Sequence, residues 1–117
     1  MLNVTRHLVC LLVGVSVVGS SSVQAIGVGV TQAKLKSIHL EYGTPYLTFD
    51  QPIGNPDGCA SNAVVALAPD LQNQQFYLSL AMTALASGKP VSAWIDGCTS
   101  SPWFSTVPRV YAMQMVP

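Results

Sequence analysis

The sequence has few charged residues, and they are scattered along the chain. Only 9% of its 117 residues are charged, with five Lys or Arg against five Asp or Glu. Binding to nucleic acid normally requires a basic patch that neutralises phosphates. No such patch is present, so the sequence predicts no nucleic-acid partner.

The sequence also lacks an apolar run long enough to cross a membrane. The apolar stretch over residues 8–18 is shorter than the roughly 20 residues that a membrane-spanning helix needs. It follows Arg6 and His7 and precedes small residues that end at Ala25, which is typical of a secretory signal. We therefore expect residues 1–25 to be a signal peptide cleaved near Ala25. The mature chain would be periplasmic or extracellular, without a stable membrane anchor.

Cysteine is scarce, and its placement is informative. Of the three cysteines, Cys10 falls in the signal, which leaves Cys59 and Cys98 as an even pair in an exported chain. Such a pair predicts a disulfide bond. The closed loop of about 40 residues corresponds to roughly 4 kcal/mol in the chain-entropy model.

Both remaining cysteines end an Asp-Gly-Cys triplet, at residues 57–59 and 96–98. The residues that follow the two triplets differ, which argues against a duplicated unit. We expect each Asp-Gly to form a turn at a strand end. The disulfide would then tie the loop before the third strand to the loop after the fourth.

Residues suited to catalysis or metal binding are few. His39 is the only histidine after the signal, and it shares a strand face with Glu41. One His and one carboxylate are too few for a closed zinc site, and no Gly-x-Ser-x-Gly motif is present. Asn55 and Asp57 have part of the spacing of a calcium loop, but Ile53 occupies its first ligand position. The sequence predicts no enzyme activity, no metal and no cofactor.

Five predicted strands flank one predicted helix. The glycine-rich residues 26–33 predict a flexible leader, and residues 34–117 predict a single domain. Apolar and polar residues alternate in several segments after that leader, as in half-buried strands. The predicted strands cover residues 34–42, 46–50, 62–68, 90–96 and 109–116. In the first of them, Ile38, Leu40 and Tyr42 are expected to face the core, and residues 43–45 are expected to form the following turn.

The helix is predicted over residues 71–87. Asp70 is suited to the N-cap, Gly88 to the position after the last turn, and Pro90 to the stop. Its polar residues form one narrow stripe, while the rest of its circumference is apolar. A helix of this kind usually packs on more than one neighbour. We therefore expect one side to pack on the sheet and another to form a homo-oligomer.

The element order is β-β-β-α-β-β, which predicts a β-rich α+β protein. This order is that of a five-stranded OB-like barrel with one helix. It fits an open α+β sheet covered by one helix equally well.

Three aromatic residues are the candidate binding residues. Trp94 is out of phase with the apolar residues of its strand and is expected to face outward, while Trp103 and Phe104 lie in the loop before the last strand. Exposed aromatic rings on an OB face or loop often contact sugars or partner side chains. The alternatives are that Trp103 and Phe104 fold back and cap the core, and that Trp94 packs under residues 26–33 or against a neighbouring subunit.

The run "LSLAMTALASGKPVSAWIDGC" resembles a group of small exported bacterial proteins, mostly uncharacterised. Some of these are similar to the B subunit of subtilase cytotoxin, whose fold is an OB barrel assembled as a pentamer. The resemblance implies an OB fold, a disulfide and a non-catalytic, oligomeric module. We therefore expect an exported binding or structural module that contacts a protein or a glycan. The alternative is a secreted hydrolase or an enzyme inhibitor, with His39 as its only available imidazole.

Overall fold

The computed structural model describes Gly14 and residues 27–117, and the signal-peptide prediction falls almost wholly outside them. The described chain forms a sheet of six strands with one helix, which confirms the β-rich α+β class. The elements are β1 (Gly27–Ala33), β2 (Leu35–Glu41), β3 (Thr44–Phe49), β4 (Val65–Ala66), α1 (Gln74–Ser87), β5 (Val91–Thr99) and β6 (Val107–Met115). Within the described residues, no helix has the length and apolar character needed to cross a membrane.

The strands follow the order β1-β5-β6-β4-β3-β2. Neighbours are antiparallel except β4 and β6, which pair in parallel at Ala66 and Arg109. The two edge strands, β1 and β2, are consecutive in the chain and separated only by Lys34. The backbone of Lys34 is held by Asp50, whose carboxylate accepts from the Lys34 N–H at 2.9 Å and whose own N–H donates to the Lys34 carbonyl. In the described residues the sheet is not closed.

The prediction of a flexible leader is wrong for Gly27–Ala33, because these residues form β1 and pair with β5. Val30 and Ala33 are buried. The glycines reflect close packing: a Cβ at Gly27 would lie 2.6 Å from Pro56, and one at Gly29 would lie 3.0 Å from the Ile95 side chain. The sheet therefore has six strands, where the sequence predicted five.

One main core joins the sheet and the helix. Its largest fully buried side chains come from strands and from the segment that follows β4: Leu47, Val65, Leu67, Val91 and Ile95. The helix contributes Ala81 and Ala84, whose small side chains let its backbone approach the sheet. A second, smaller cluster of Tyr46, Ala66 and Val107 is buried separately from this core.

The helix begins at Gln74, three residues later than predicted, and Asp70 is not its N-cap. Residues 69–73 form turns instead, with the Leu71 N–H donating to the Ala68 carbonyl at 2.9 Å. The Asp70 carboxylate accepts from Arg109 rather than from the first turn of the helix. Gly88 ends the helix with φ of 68°, as predicted.

The hairpin between β2 and β3 also differs from the prediction. Its loop is Tyr42 and Gly43, both with positive φ, which matches the twist of the flanking strands. Thr44 and Pro45 already belong to β3. Tyr42 is 92% exposed and Leu40 is 63% exposed, so the expectation that both face the core is wrong. Tyr42 lies in the loop of the hairpin, and Leu40 pairs with Pro45 close to that loop.

The two Asp-Gly-Cys triplets occupy different kinds of backbone. The first forms the predicted turn, in which the Gly58 N–H donates to the Asn55 carbonyl at 3.2 Å. The second lies inside β5, where Gly97 has φ of 74° at an irregularity in the pairing with β6. The prediction of a second turn is therefore wrong, because β5 continues through Cys98 to Thr99.

Candidate functional site

Trp103 lies in the loop between β5 and β6 and packs against the β2–β3 hairpin. Its ring meets that of His39 edge-on, with centroids 4.9 Å apart, and that of Tyr46 in the same way at 5.0 Å. Trp103 nevertheless remains 45% exposed. We call His39, Tyr46 and Trp103 the aromatic cluster. Trp103 thus covers a buried tyrosine and also presents a fixed aromatic surface to solvent.

The local sequence explains why these rings meet. The register of the hairpin places His39 directly opposite Tyr46, so their side chains lie on one face of the sheet. Trp103 reaches that face because its loop is compact: the Ser101 hydroxyl accepts from the N–H groups of Trp103 and Phe104 at 3.3 and 2.9 Å. This Ser-centred turn fixes the loop without regular structure.

A polar pair borders the aromatic cluster. Nε2 of His39 lies 2.8 Å from a carboxylate oxygen of Glu41, two residues along the same strand. The pair is partly exposed, with 55% of the His39 side chain and 36% of the Glu41 side chain accessible. The sequence predicted that these residues share a face. The structure adds that the His39 ring is also held by Trp103.

A cavity of about 430 Å³ lies beside the aromatic cluster, and we call it the Tyr46 cavity. Six of the nine residues that line it carry a hydroxyl group, and one carries a carboxylate. The lining residues are Glu41, Tyr42, Thr44, Tyr46, Pro69, Thr99, Ser100, Ser101 and Pro102. Burial raises the pKa of Tyr46 above its ordinary value, and the nearby Glu41 charge raises it further, while a hydrogen bond with Thr44 acts in the opposite direction. Tyr46 is therefore a neutral hydroxyl at physiological pH.

A second cavity, of about 410 Å³, is lined in part by Arg109, and we call it the Arg109 cavity. Nε of Arg109 donates to the Asp96 carbonyl at 3.1 Å, and Nη1 donates to the Asp70 carboxylate at 2.9 Å. Tyr77 and Tyr111 are among the other residues that line it. No sequence pattern indicates this site, since its residues come from three distant segments.

The three candidate binding residues do not form one site. Trp103 belongs to the aromatic cluster, and Phe104 follows it in the same loop with 37% exposure. Trp94 lies in the middle of β5, between Val28 of β1 and Ala112 of β6. It is half-buried. Trp94, Trp103 and Phe104 are all absent from the linings of the two cavities. Tyr46, which sequence analysis did not select, is in contact with Trp103.

The predicted disulfide between Cys59 and Cys98 is confirmed. The polar side chains in the loop that precedes Cys59 form hydrogen bonds with the backbone. The side chain of Asn55 both accepts from and donates to the backbone of Cys59, at 2.8 and 2.9 Å, while Asp57 accepts from the Gly97 N–H. These contacts explain the calcium-like spacing as turn chemistry. Residues 27–117 contain no group of three or more His, Cys, Asp or Glu placed to hold a metal ion.

Comparison of the chain with protein-family models, with curated proteins and with solved structures gave no match. The resemblance to the subtilase cytotoxin B-subunit family therefore stays a prediction.

Proposed function

We propose that this protein is an exported, non-catalytic module that binds a neutral glycan at the Tyr46 cavity, with Trp103 as its stacking surface. The observation that carries the proposal is a tryptophan that is 45% exposed yet held by two edge-on aromatic contacts. Trp103 does not line the cavity itself, but its chain neighbour Pro102 and its ring partner Tyr46 do. A ring fixed in this way loses little conformational freedom when a ligand stacks on it. The adjoining hydroxyl groups both donate and accept hydrogen bonds, as sugar hydroxyls do.

The charge of the cavity favours a neutral glycan over an acidic one. The residues that line it include the Glu41 carboxylate and no Lys or Arg. An acidic sugar would place its own negative charge near Glu41 without a compensating cation, which is unfavourable in a partly desolvated site. A neutral sugar avoids this cost and can donate hydroxyl hydrogen bonds to the carboxylate.

The fold proposed to carry this site is an OB-like barrel of the subtilase cytotoxin B-subunit type. Two observations support it: β1 and β2 are joined through Lys34 at the two edges of the sheet, and β4 pairs in parallel with β6. If β1 and β2 are counted as one bent strand, the element order is that of five strands with one helix. OB folds use a strand face and neighbouring loops to bind oligosaccharides.

Export through a signal peptide cleaved near Ala25 is part of the same proposal. A disulfide is compatible with the periplasm or the extracellular space, which are oxidising. Mass spectrometry of the protein recovered from the periplasm or medium tests this directly. The expected N-terminus is at or near Ile26, and recovery of the uncleaved chain alone would contradict it.

A glycan array with neutral, sialylated and sulfated structures tests the binding function. We expect retention of neutral glycans and a loss of roughly tenfold or more in affinity for Trp103→Ala, since about 1.4 kcal/mol corresponds to a factor of ten. Phe76→Ala is the matched control, because Phe76 is 71% exposed on α1 and lines neither cavity. Equal binding by Trp103→Ala, or no retention of any glycan, would overturn the proposal.

The second candidate is a secreted hydrolase or an enzyme inhibitor. The hydrolase is favoured by the 2.8 Å contact between His39 and Glu41 beside the same cavity, since a His–carboxylate pair can move a proton. Mass spectrometry of any glycan retained on the array, after prolonged incubation with the protein, separates the two functions. Cleavage that disappears in His39→Ala would favour the hydrolase, whereas an intact glycan favours the binding module.

A further inference from the structure

The two cavities are lined by consecutive residues around Pro69. Pro69 lines the Tyr46 cavity, while its chain neighbours Ala68 and Asp70 line the Arg109 cavity. Because consecutive Cα atoms are about 3.8 Å apart, the linings of the two cavities meet along this segment. A ligand that contacts both linings must be longer than one sugar.

The Arg109 cavity offers donors and acceptors together. Arg109 is held in place by the Asp96 carbonyl and the Asp70 carboxylate, and its guanidinium carries five N–H donors in total. The Asp70 side chain is 70% exposed, so it remains available as an acceptor. Tyr111, which is 52% exposed, adds an aromatic surface. Sugar hydroxyls use both kinds of group, and the ion pair leaves no strong preference for a charged ligand.

Asp96 adds an unsatisfied acceptor at this cavity. Its Oδ1 is buried, and within the described part of the chain it has no hydrogen-bond partner. A buried acceptor without a donor costs free energy. Asp96 lines the cavity, and the terminal torsion of an Asp side chain is soft. A sugar hydroxyl bound in the cavity is the donor that we infer for this carboxylate.

We propose that the Arg109 cavity is a second subsite for the glycan held at the Tyr46 cavity, so that the ligand is an extended neutral oligosaccharide lying across Pro69. This inference rests on the proposed function. It adds the length of the ligand and a binding role for Arg109, Asp96 and Tyr111.

Isothermal titration calorimetry with two neutral series tests the inference. The probes are N-acetylglucosamine and mannose, each as the single sugar and as linear oligomers of up to six units. In the series that binds, affinity is expected to rise with length by about tenfold or more until both cavities are filled, since a few added hydrogen bonds suffice for such a gain. Arg109→Gln and Tyr111→Ala are expected to remove most of this gain.

The variants separate a local effect from a folding defect. Tyr111→Ala changes an exposed side chain, so it remains informative if Arg109→Gln unfolds, and thermal unfolding of each variant reports its integrity. Met82→Ala, at a helix residue that is 57% exposed and lines neither cavity, should keep the full length dependence. Binding that does not strengthen with length, or a gain that survives both substitutions, would overturn the second subsite while leaving the proposed function intact. If no member of either series binds, the second subsite and the proposed neutral glycan both fail.

Discussion

The carboxylate of Asp57 accepts a hydrogen bond from the backbone N–H of Gly97 at 2.7 Å, so the two Asp-Gly-Cys triplets bind each other. The disulfide joins the cysteines of the same two triplets. The second triplet continues directly into Thr99 and Ser100, which line the Tyr46 cavity. The disulfide and this hydrogen bond therefore connect the loop before β4 to the end of β5, which carries part of the candidate site.

Replacing Asp57 by Ala should destabilise the fold even with the disulfide intact. The substitution leaves the Gly97 N–H without its charged acceptor, and hydrogen bonds to charged groups contribute about 1.5–3 kcal/mol. Since Asp57 is only partly buried, we expect a loss of about 1–2 kcal/mol in the free energy of unfolding. Urea unfolding under non-reducing conditions measures it.

Asp70→Ala is the matched control for that experiment. Asp70 also accepts a hydrogen bond from another segment, but its side chain is 70% exposed. An exposed ion pair contributes only about 0–1 kcal/mol. If Asp57→Ala were no more destabilising than Asp70→Ala, the contact between the triplets would not stabilise the fold.

Removal of the disulfide should have a larger effect. The double substitution Cys59→Ser with Cys98→Ser removes a covalent bond between residues that are 39 positions apart in the sequence. Loss of such a bond typically lowers the free energy of unfolding by about 2–4 kcal/mol. A lower midpoint of thermal unfolding measures the effect. The unsubstituted protein in reducing agent should approach the same midpoint. Equal midpoints for the oxidised protein and the double variant would contradict a structural role for the bond.

Local sequence patterns predicted the elements better than their contacts. Alternation correctly indicated that Val91, Ala93 and Ile95 face the core, and Gly88 correctly marked the end of the helix. The strand at Gly27–Ala33 was missed because its glycines looked like flexibility. Glycine is needed at Gly27 and Gly29 because Pro56 and Ile95 approach the backbone closely, and only the tertiary structure reveals that approach.

Only part of the candidate site was predicted, again because local sequence patterns do not reveal contacts between distant segments. Trp103 was identified from its position in a loop, but its partner Tyr46 was not, because Leu47 and Phe49 in the same strand already accounted for the core. Tyr46 is buried in a second cluster on the other face. A strand buried on both faces lacks the alternation that would have indicated this.

The exposed apolar flank of α1 tests the predicted homo-oligomer. Met82 and Leu85 are 57% and 39% exposed, although they stand on a helix that buries Ala81 and Ala84. If this flank is an interface, Met82→Asp with Leu85→Asp should convert the oligomer to monomer, because charged groups are not buried without partners. Light scattering after size-exclusion chromatography measures the mass. Gln75→Asp, on the exposed polar stripe, is the control, and a monomeric unsubstituted protein at every concentration would contradict the prediction.

Tyr46 should lose its proton later than a free tyrosine does. Burial and the Glu41 charge raise its pKa above the ordinary value of 10.0. The folded state therefore favours the neutral phenol, and this contribution to stability is complete below pH 10 and is lost as the pH rises through the raised pKa. The difference in phenolate absorbance between the unsubstituted protein and Tyr46→Phe isolates this group among the four tyrosines. Its midpoint should lie above 10, and Glu41→Gln should move it back toward the ordinary value. A midpoint at or below 10 would show that desolvation and the Glu41 charge do not outweigh the opposing hydrogen bond with Thr44.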